Sequence, residues 1–445
     1  MLRSHVYALS CTVLIQAGLT SAYAQDKVYA RKIVDTLASP TMHGRGYVLN
    51  GDHLASDYIS NEYKTFGLTS FEKTGSYFQE FAFPVNTFPG RVEMTFHYQD
   101  GTKEKCEPGD KFMVRSSSPS IKGHFKVVRL DSSIAHSRTK WDAFIATDHK
   151  KVFVLVDTAG VKDKQELQRM TNFVRYPVNV KGILLPTKLE HIEGSDNCSK
   201  LPPWDFSMVQ STVPVIEIDP TLARATEIDV RIGAKFLKSY TSRNVIGYIR
   251  GSEQPDSFVV YTAHYDHLGQ MGKTVYFPGA NDNASGIAML LNLAKYYSMP
   301  EHKPKYSIAF MAFGAEEVGL IGSNYYTQHP LFPLAQIRFL INMDILGTGD
   351  EGITVVNATL YNREFVQLKA INDTNHYLPL VKPRGKAAIS DHHLFTEKGV
   401  PCFYMYTLGG IKAYHDTCDR RETLPLTEFD DLFLLIRDFS DWIMD

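Results

Sequence analysis

The sequence predicts an α/β protein whose central sheet is mixed and largely parallel, flanked by helices and interrupted by an inserted β-rich domain. Three observations predict it. From residue 244 onward, short apolar runs alternate with helix-length segments, the pattern of strands joined by helical crossovers. Between about residues 88 and 242 the texture changes to short β-rich runs separated by polar turns. The chain, at 445 residues, also exceeds the roughly 100–200 residues of an ordinary single core.

Taken in order, residues 1–24 read as an export signal: Arg3 at the positive end, an apolar stretch over 6–19, and small residues at Ala22 and Ala24 before the exit. The mature chain is therefore expected to be secreted or periplasmic. The apolar run is short and interrupted, and no later segment has the about 20 apolar residues of a span, so stable membrane insertion is not expected. Residues 25–90 form the first part of the α/β domain, with helix candidates at 27–36 and 52–66 and a glycine-flanked turn around Gly44, Arg45 and Gly46. The inserted domain occupies 91–242, with strand candidates at 92–98, 125–130, 152–156 and 213–218. Residues 243–445 complete the α/β domain, with buried strands at 258–263, 306–313 and 337–343 and helices at 284–297 and 317–326.

A composition of 44% hydrophobic and 22% charged residues is that of a globular protein. The formal net charge of −2, without a Lys/Arg block, excludes nucleic acid as the main partner. Beyond residue 24 four cysteines remain: Cys106, Cys198, Cys402 and Cys418. In an oxidising compartment they favour the within-domain pairs Cys106–Cys198 and Cys402–Cys418, with buried free thiols as the equal alternative. Their wide spacing gives no support for a cysteine zinc site.

The chemistry-bearing residues fall at strand exits, where ligands collect in such sheets. In His264-Tyr265-Asp266, Asp266 is placed to orient the imidazole of His264. In the small-residue loop 279–286, Asp282 or Asn283 can cap the following helix, or Asp282 can bridge metals. Glu316 and Glu317 can serve a helix dipole, or divide metal binding and proton movement between them. Asp344 directly follows an apolar strand and needs a partner. His415 sits in a late polar turn beside Tyr414. Each has an ordinary structural reading alone. Together, two histidines, two aspartates and a glutamate at successive exits of one sheet make a ligand set suited to zinc. By strand alternation His267 and His393 point away from the site, and Asp419 caps the turn that follows it.

The order His264-x-Asp266, the loop 279–286, Gly314-Ala315-Glu316-Glu317, Asn342-Met343-Asp344, Ser390-Asp391-His392 and Tyr414-His415 resembles the secreted zinc aminopeptidase family. That family includes the bacterial leucine aminopeptidases, aminopeptidase Y and, more distantly, glutamate carboxypeptidase II. The likeness covers about residues 244–445 and the helices near the mature N-terminus. It implies the zinc-exopeptidase fold, and the β-rich insertion looks like a protease-associated domain. It also implies two Zn2+ per chain, one on His264 and Asp344, the other on Glu317 and His415, with Asp282 bridging across a cis Asp282–Asn283 peptide. Glu316 would be the general base, Asp266 the partner of His264, and Tyr414 the hydroxyl that steadies the oxyanion. The implied reaction removes N-terminal residues from peptide substrates with a metal-activated water. Asp391 and His392 fall in a segment near the site without an assigned role. The rival readings are a single-zinc glutaminyl cyclase-like transferase, a carboxypeptidase, which needs a basic pocket, and a receptor-like binding protein, which typically loses ligands that this chain keeps.

Overall fold

The computed structural model describes residues 27–187, 190–191, 199–200 and 204–445; the expected export signal and Cys198 lie outside the described residues. Two eight-stranded sheets organise the chain. In the first, the strands run Phe78–Thr87, Lys235–Ile249, Tyr306–Phe313, Gln254–His264, Ile337–Met343, Cys402–Thr407, Ile353–Val356 and Val381–Pro383 across the sheet. Four of its seven pairings are parallel, including the three that join the central strands. The mixed, largely parallel sheet expected from the apolar runs is therefore present. Helices Lys27–Leu37, Gly51–Phe66, Gly286–Tyr297 and Phe429–Met444 pack their apolar sides into one core against it. Ile321–Gln328 and His392–Glu397 help to cover the other face, as strands buried on both sides require.

The second sheet is built from strands between Val92 and Ile232 and has its own core around Phe96, Phe112, Phe153 and Ile228. It is not purely antiparallel. Helix Lys164–Arg175 links the parallel strands His149–Val156 and Val180–Pro186. Chain entry and exit are pinned together: Gly90 donates to the Gly233 carbonyl at 2.9 Å, and a Cβ on Gly90 would meet Gly233 Cα at 2.6 Å. The antiparallel strands Phe78–Thr87 and Lys235–Ile249 carry this junction away from the first sheet.

Two expectations are corrected here. The helix expected at 317–326 begins only at Ile321. Left-handed backbone at Ala315, Gly319 and Leu320 holds 315–320 as a loop, so Glu316 and Glu317 do not serve a helix start. Neither favoured disulfide forms: Cys106 and Cys402 are free and buried, whereas Cys418 is disulfide-bonded to a partner outside the described residues. Cys402 opens its strand, with Thr396 and Asn357 at its sulfur. Cys418 belongs to the loop beyond that strand's opposite end, and the strand separates the two sulfurs. The Cys106 side chain is committed to the core of the second sheet. Among the described residues no helix is long and apolar enough to cross a membrane.

Candidate metal centre

The four central parallel strands deliver their C-terminal ends to one place. His264 is the last residue of its strand, Asp344 follows Ile337–Met343, Glu316 and Glu317 follow Tyr306–Phe313, and Asp282 lies in the tight turn before helix Gly286–Tyr297. His415 comes from the loop after Cys402–Thr407. The two oxygens of Asp282 face different imidazoles: Oδ1 is 3.3 Å from His264 Nε2, and Oδ2 is 3.2 Å from His415 Nε2. A second carboxylate meets each of these same Nε2 atoms, Asp344 at 3.3 Å from His264 and Glu317 at 3.0 Å from His415. Donor atoms of His264, Glu316 and Asp344 also lie within 4.8 Å of one another.

The other ring nitrogens are occupied. His264 Nδ1 donates to the Asp266 carbonyl at 3.2 Å, and His415 Nδ1 donates to the Trp204 carbonyl at 3.1 Å. With Nδ1 held on a carbonyl, each ring turns its Nε2 toward Asp282, the nitrogen that would ligate a metal once deprotonated. Asp266 has a second task. Its carboxylate accepts the Glu316 amide at 3.1 Å, the Glu317 amide at 3.3 Å and the Tyr47 hydroxyl at 3.0 Å, which fixes the left-handed loop and both glutamates. Its carboxylate is 3.8 Å from His264 Nδ1, so the backbone carbonyl makes the closer contact.

Charge is unevenly shared. Burial alone would raise the pKa of Asp282, yet His264 and His415 hold it well below the ordinary value. Glu317 is buried and pushed up by Asp282, but His415 and His267 bring it to about 2. His415 overcomes its burial penalty because Glu317 and Asp282 face it, and rises to about 11. Glu316 goes the other way: burial leads, His264 opposes, and Asp391, Glu317 and Asp344 push its carboxyl well above the usual range. Four carboxylates thus crowd around fewer imidazoles. A buried surplus of negative charge is costly without cations, and a nitrogen–oxygen donor set fits zinc.

The turn bearing Asp282 is held from three directions. Its peptide to Asn283 is cis. Asp419 accepts the Asn281 and Asp282 amides at 2.8 and 2.9 Å; this corrects the expected cap on its own following turn, because the acceptor reaches 137 residues back along the chain. Fully buried Arg45 donates to the carbonyls of Leu37, Tyr265, Pro278, Gly279 and Asp282. Burial lowers its pKa to about 10, with Asp282 and Asp419 opposing. Gly279 is left-handed at φ 58, and a Cβ there would meet the Asp282 carbonyl at 2.2 Å.

His267 is also corrected. It is fully buried and donates from Nδ1 to Glu317 at 2.7 Å, against the site instead of away from it. The strand ends at His264, so alternation no longer governs three residues later. His393 does lie apart, on helix His392–Glu397 near Glu397. Tyr414 is 43% exposed and stacks on His415 with centroids 4.0 Å apart. Ser390 donates to Asp344 at 3.2 Å, and Asp391 is buried with burial raising it to about 7. Replacing Arg45 with Met would leave several buried carbonyls unpaired, a class of change costing about 3–5 kcal/mol; denaturant titration should show that loss.

Residues 244–440 match the profile described as Peptidase family M28. Aminopeptidase YwaD of Bacillus subtilis is 34% identical over 146 residues, 31% of this chain and 30% of that protein. A probable zinc metalloprotease of Leptosphaeria maculans is 37% identical over 113 residues, 24% of this chain and 26% of that protein. The chain thus aligns with less than a third of either relative's length. The fold is similar over 93% of both chains to the solved structure of BSAP, a zinc aminopeptidase from Bacillus subtilis, with a TM-score of 0.64 at 19% identity.

Proposed function

We propose, from the match of residues 244–440 to peptidase family M28, that the chain is a two-zinc exopeptidase removing N-terminal residues from peptides. The observation that carries it is the pair of Asp282 oxygens, each facing a different imidazole. One zinc would be held by His264, Asp344 and Asp282, the other by His415, Glu317 and Asp282. When bound, such ions polarise the scissile carbonyl and lower the pKa of the attacking water. Glu316 takes the proton of that water and returns it to the leaving amine, a role served by a carboxyl of raised proton affinity. Asp266 keeps Glu316 and Glu317 in place through their amides. The hydroxyl of Tyr414, whose ring stacks on His415, donates to the developing oxyanion.

The N-terminal signal and the Cys418 disulfide support export of the mature chain, and the inserted sheet is read as a protease-associated-like domain. Incubating the zinc-loaded protein with a mixed peptide library tests the function. Peptides should shorten from the N-terminus, stop doing so after chelation, and resume when zinc is restored. Shortening from the C-terminus, or cyclisation of N-terminal glutamine without cleavage, would overturn the reading.

A further inference from the structure

The solvent face of the second sheet gathers another set of metal-ligating side chains. His97 closes strand Val92–His97, His124 lies in Ile121–Leu130, and Glu227 and Asp229 lie in Glu227–Ile232 between them. The register sets Glu227 opposite His97 and Asp229 opposite His124. Glu227 and Asp229 are two apart, so they share a face, while Ile228 and Val230 turn into the core.

The contacts converge on one carboxylate. His97 Nε2 is 2.6 Å from Asp229 Oδ2, and His124 Nδ1 is 2.9 Å from Asp229 Oδ1. Donor atoms of His97, His124 and Asp229 all lie within 4.8 Å of one another. Behind the His124 ring, Glu227 Oε2 is 3.3 Å from Nε2. Two imidazoles on one carboxylate, with a second carboxylate orienting one ring from behind, is how ligating histidines are arranged.

We propose that this face is a divalent-metal site separate from the strand-exit centre, taking a borderline cation such as Zn2+ on His97, His124 and Asp229, with Glu227 steadying His124. Two nitrogens and an oxygen suit that class of ion. Metal–ligand bonds of about 2.0–2.2 Å need the donors slightly further apart than they stand. The side chains of His124 and Asp229 are 49% and 52% exposed and free to open by that amount. A bound ion would tie three adjacent strands through their side chains, next to the edge strand Lys103–Cys106.

Equilibrium dialysis of the full-length protein against Zn2+, with elemental counting, tests the site in wild type, His124→Ala and Asp229→Asn. Each variant should bind one equivalent fewer than wild type and lose the zinc-dependent rise in thermal midpoint that this site supplies. Because the readout is a difference, it does not depend on how many ions the strand-exit centre holds. Glu227→Gln, which keeps all three ligands, should retain the equivalent at about 10- to 100-fold weaker affinity. Equal stoichiometry in wild type and both ligand variants overturns the site, and unchanged affinity in Glu227→Gln removes the orienting role.

Discussion

Glu316→Gln should lower kcat by about 100- to 10,000-fold, the usual contribution of a positioned proton carrier, while the protein keeps its full metal content. The substitution preserves volume and removes only basicity. Glu316 is not among the groups that face Asp282 through the imidazoles; its neighbours are His264 and Asp344. It is also the carboxyl that burial and the surrounding acids push well above the ordinary range, so a neutral amide relieves repulsion, and thermal stability should hold or rise. The contrast with the adjacent residue sharpens the test. Glu317→Gln strikes a carboxylate 3.0 Å from His415 and 2.7 Å from His267, and should cost metal as well as turnover. Steady-state kinetics paired with elemental analysis separates the two. A Glu316→Gln enzyme of near-normal kcat would remove the base from the scheme.

Asp282→Asn should empty both metal positions at once. Removing an outer partner of a ligand typically costs 10- to 100-fold in metal affinity; loss of a shared ligand should exceed about 100-fold at each position. The reason is geometric, because Oδ1 serves His264 and Oδ2 serves His415, and an amide offers one oxygen. The protein should still fold, since Arg45 and Asp419 grip the backbone of this turn and not the Asp282 side chain. Metal content after dialysis is the measurement. A variant that keeps two tightly held ions would refute the bridge.

The strands and their exits were legible because continuous apolar runs end abruptly on polar residues, as at His264 and Asp344. The loop of Glu316 and Glu317 was not, because a strong acidic pair mimics a helix start, and the left-handed turns at Ala315 and Leu320 leave little compositional trace. His267 was misjudged by extending a period-two rule past the end of its strand. Asp419 and Arg45 act on backbone atoms far away in sequence, and a side chain that binds a distant carbonyl or amide carries no local spacing signal. The cysteines mislead for a related reason: even count and domain membership say nothing about which ends of a strand two sulfurs occupy.

Trp204 shows where such reasoning meets its harder case, since what it gives His415 is a backbone carbonyl that any residue possesses. What is particular to it is its anchoring. The indole donates to the Val114 carbonyl at 2.8 Å and stacks on Phe277 at 5.3 Å, which moors a segment of the inserted domain on the rim of the other. The insertion is therefore not a detachable cassette. A graft exchanging it for another β-rich module would have to return a carbonyl to the same spot, and residues 243–445 by themselves lack the carbonyl to which His415 donates. In modular terms even the core of the second sheet crosses the boundary, since Leu268, Met271 and Phe277 pack into it.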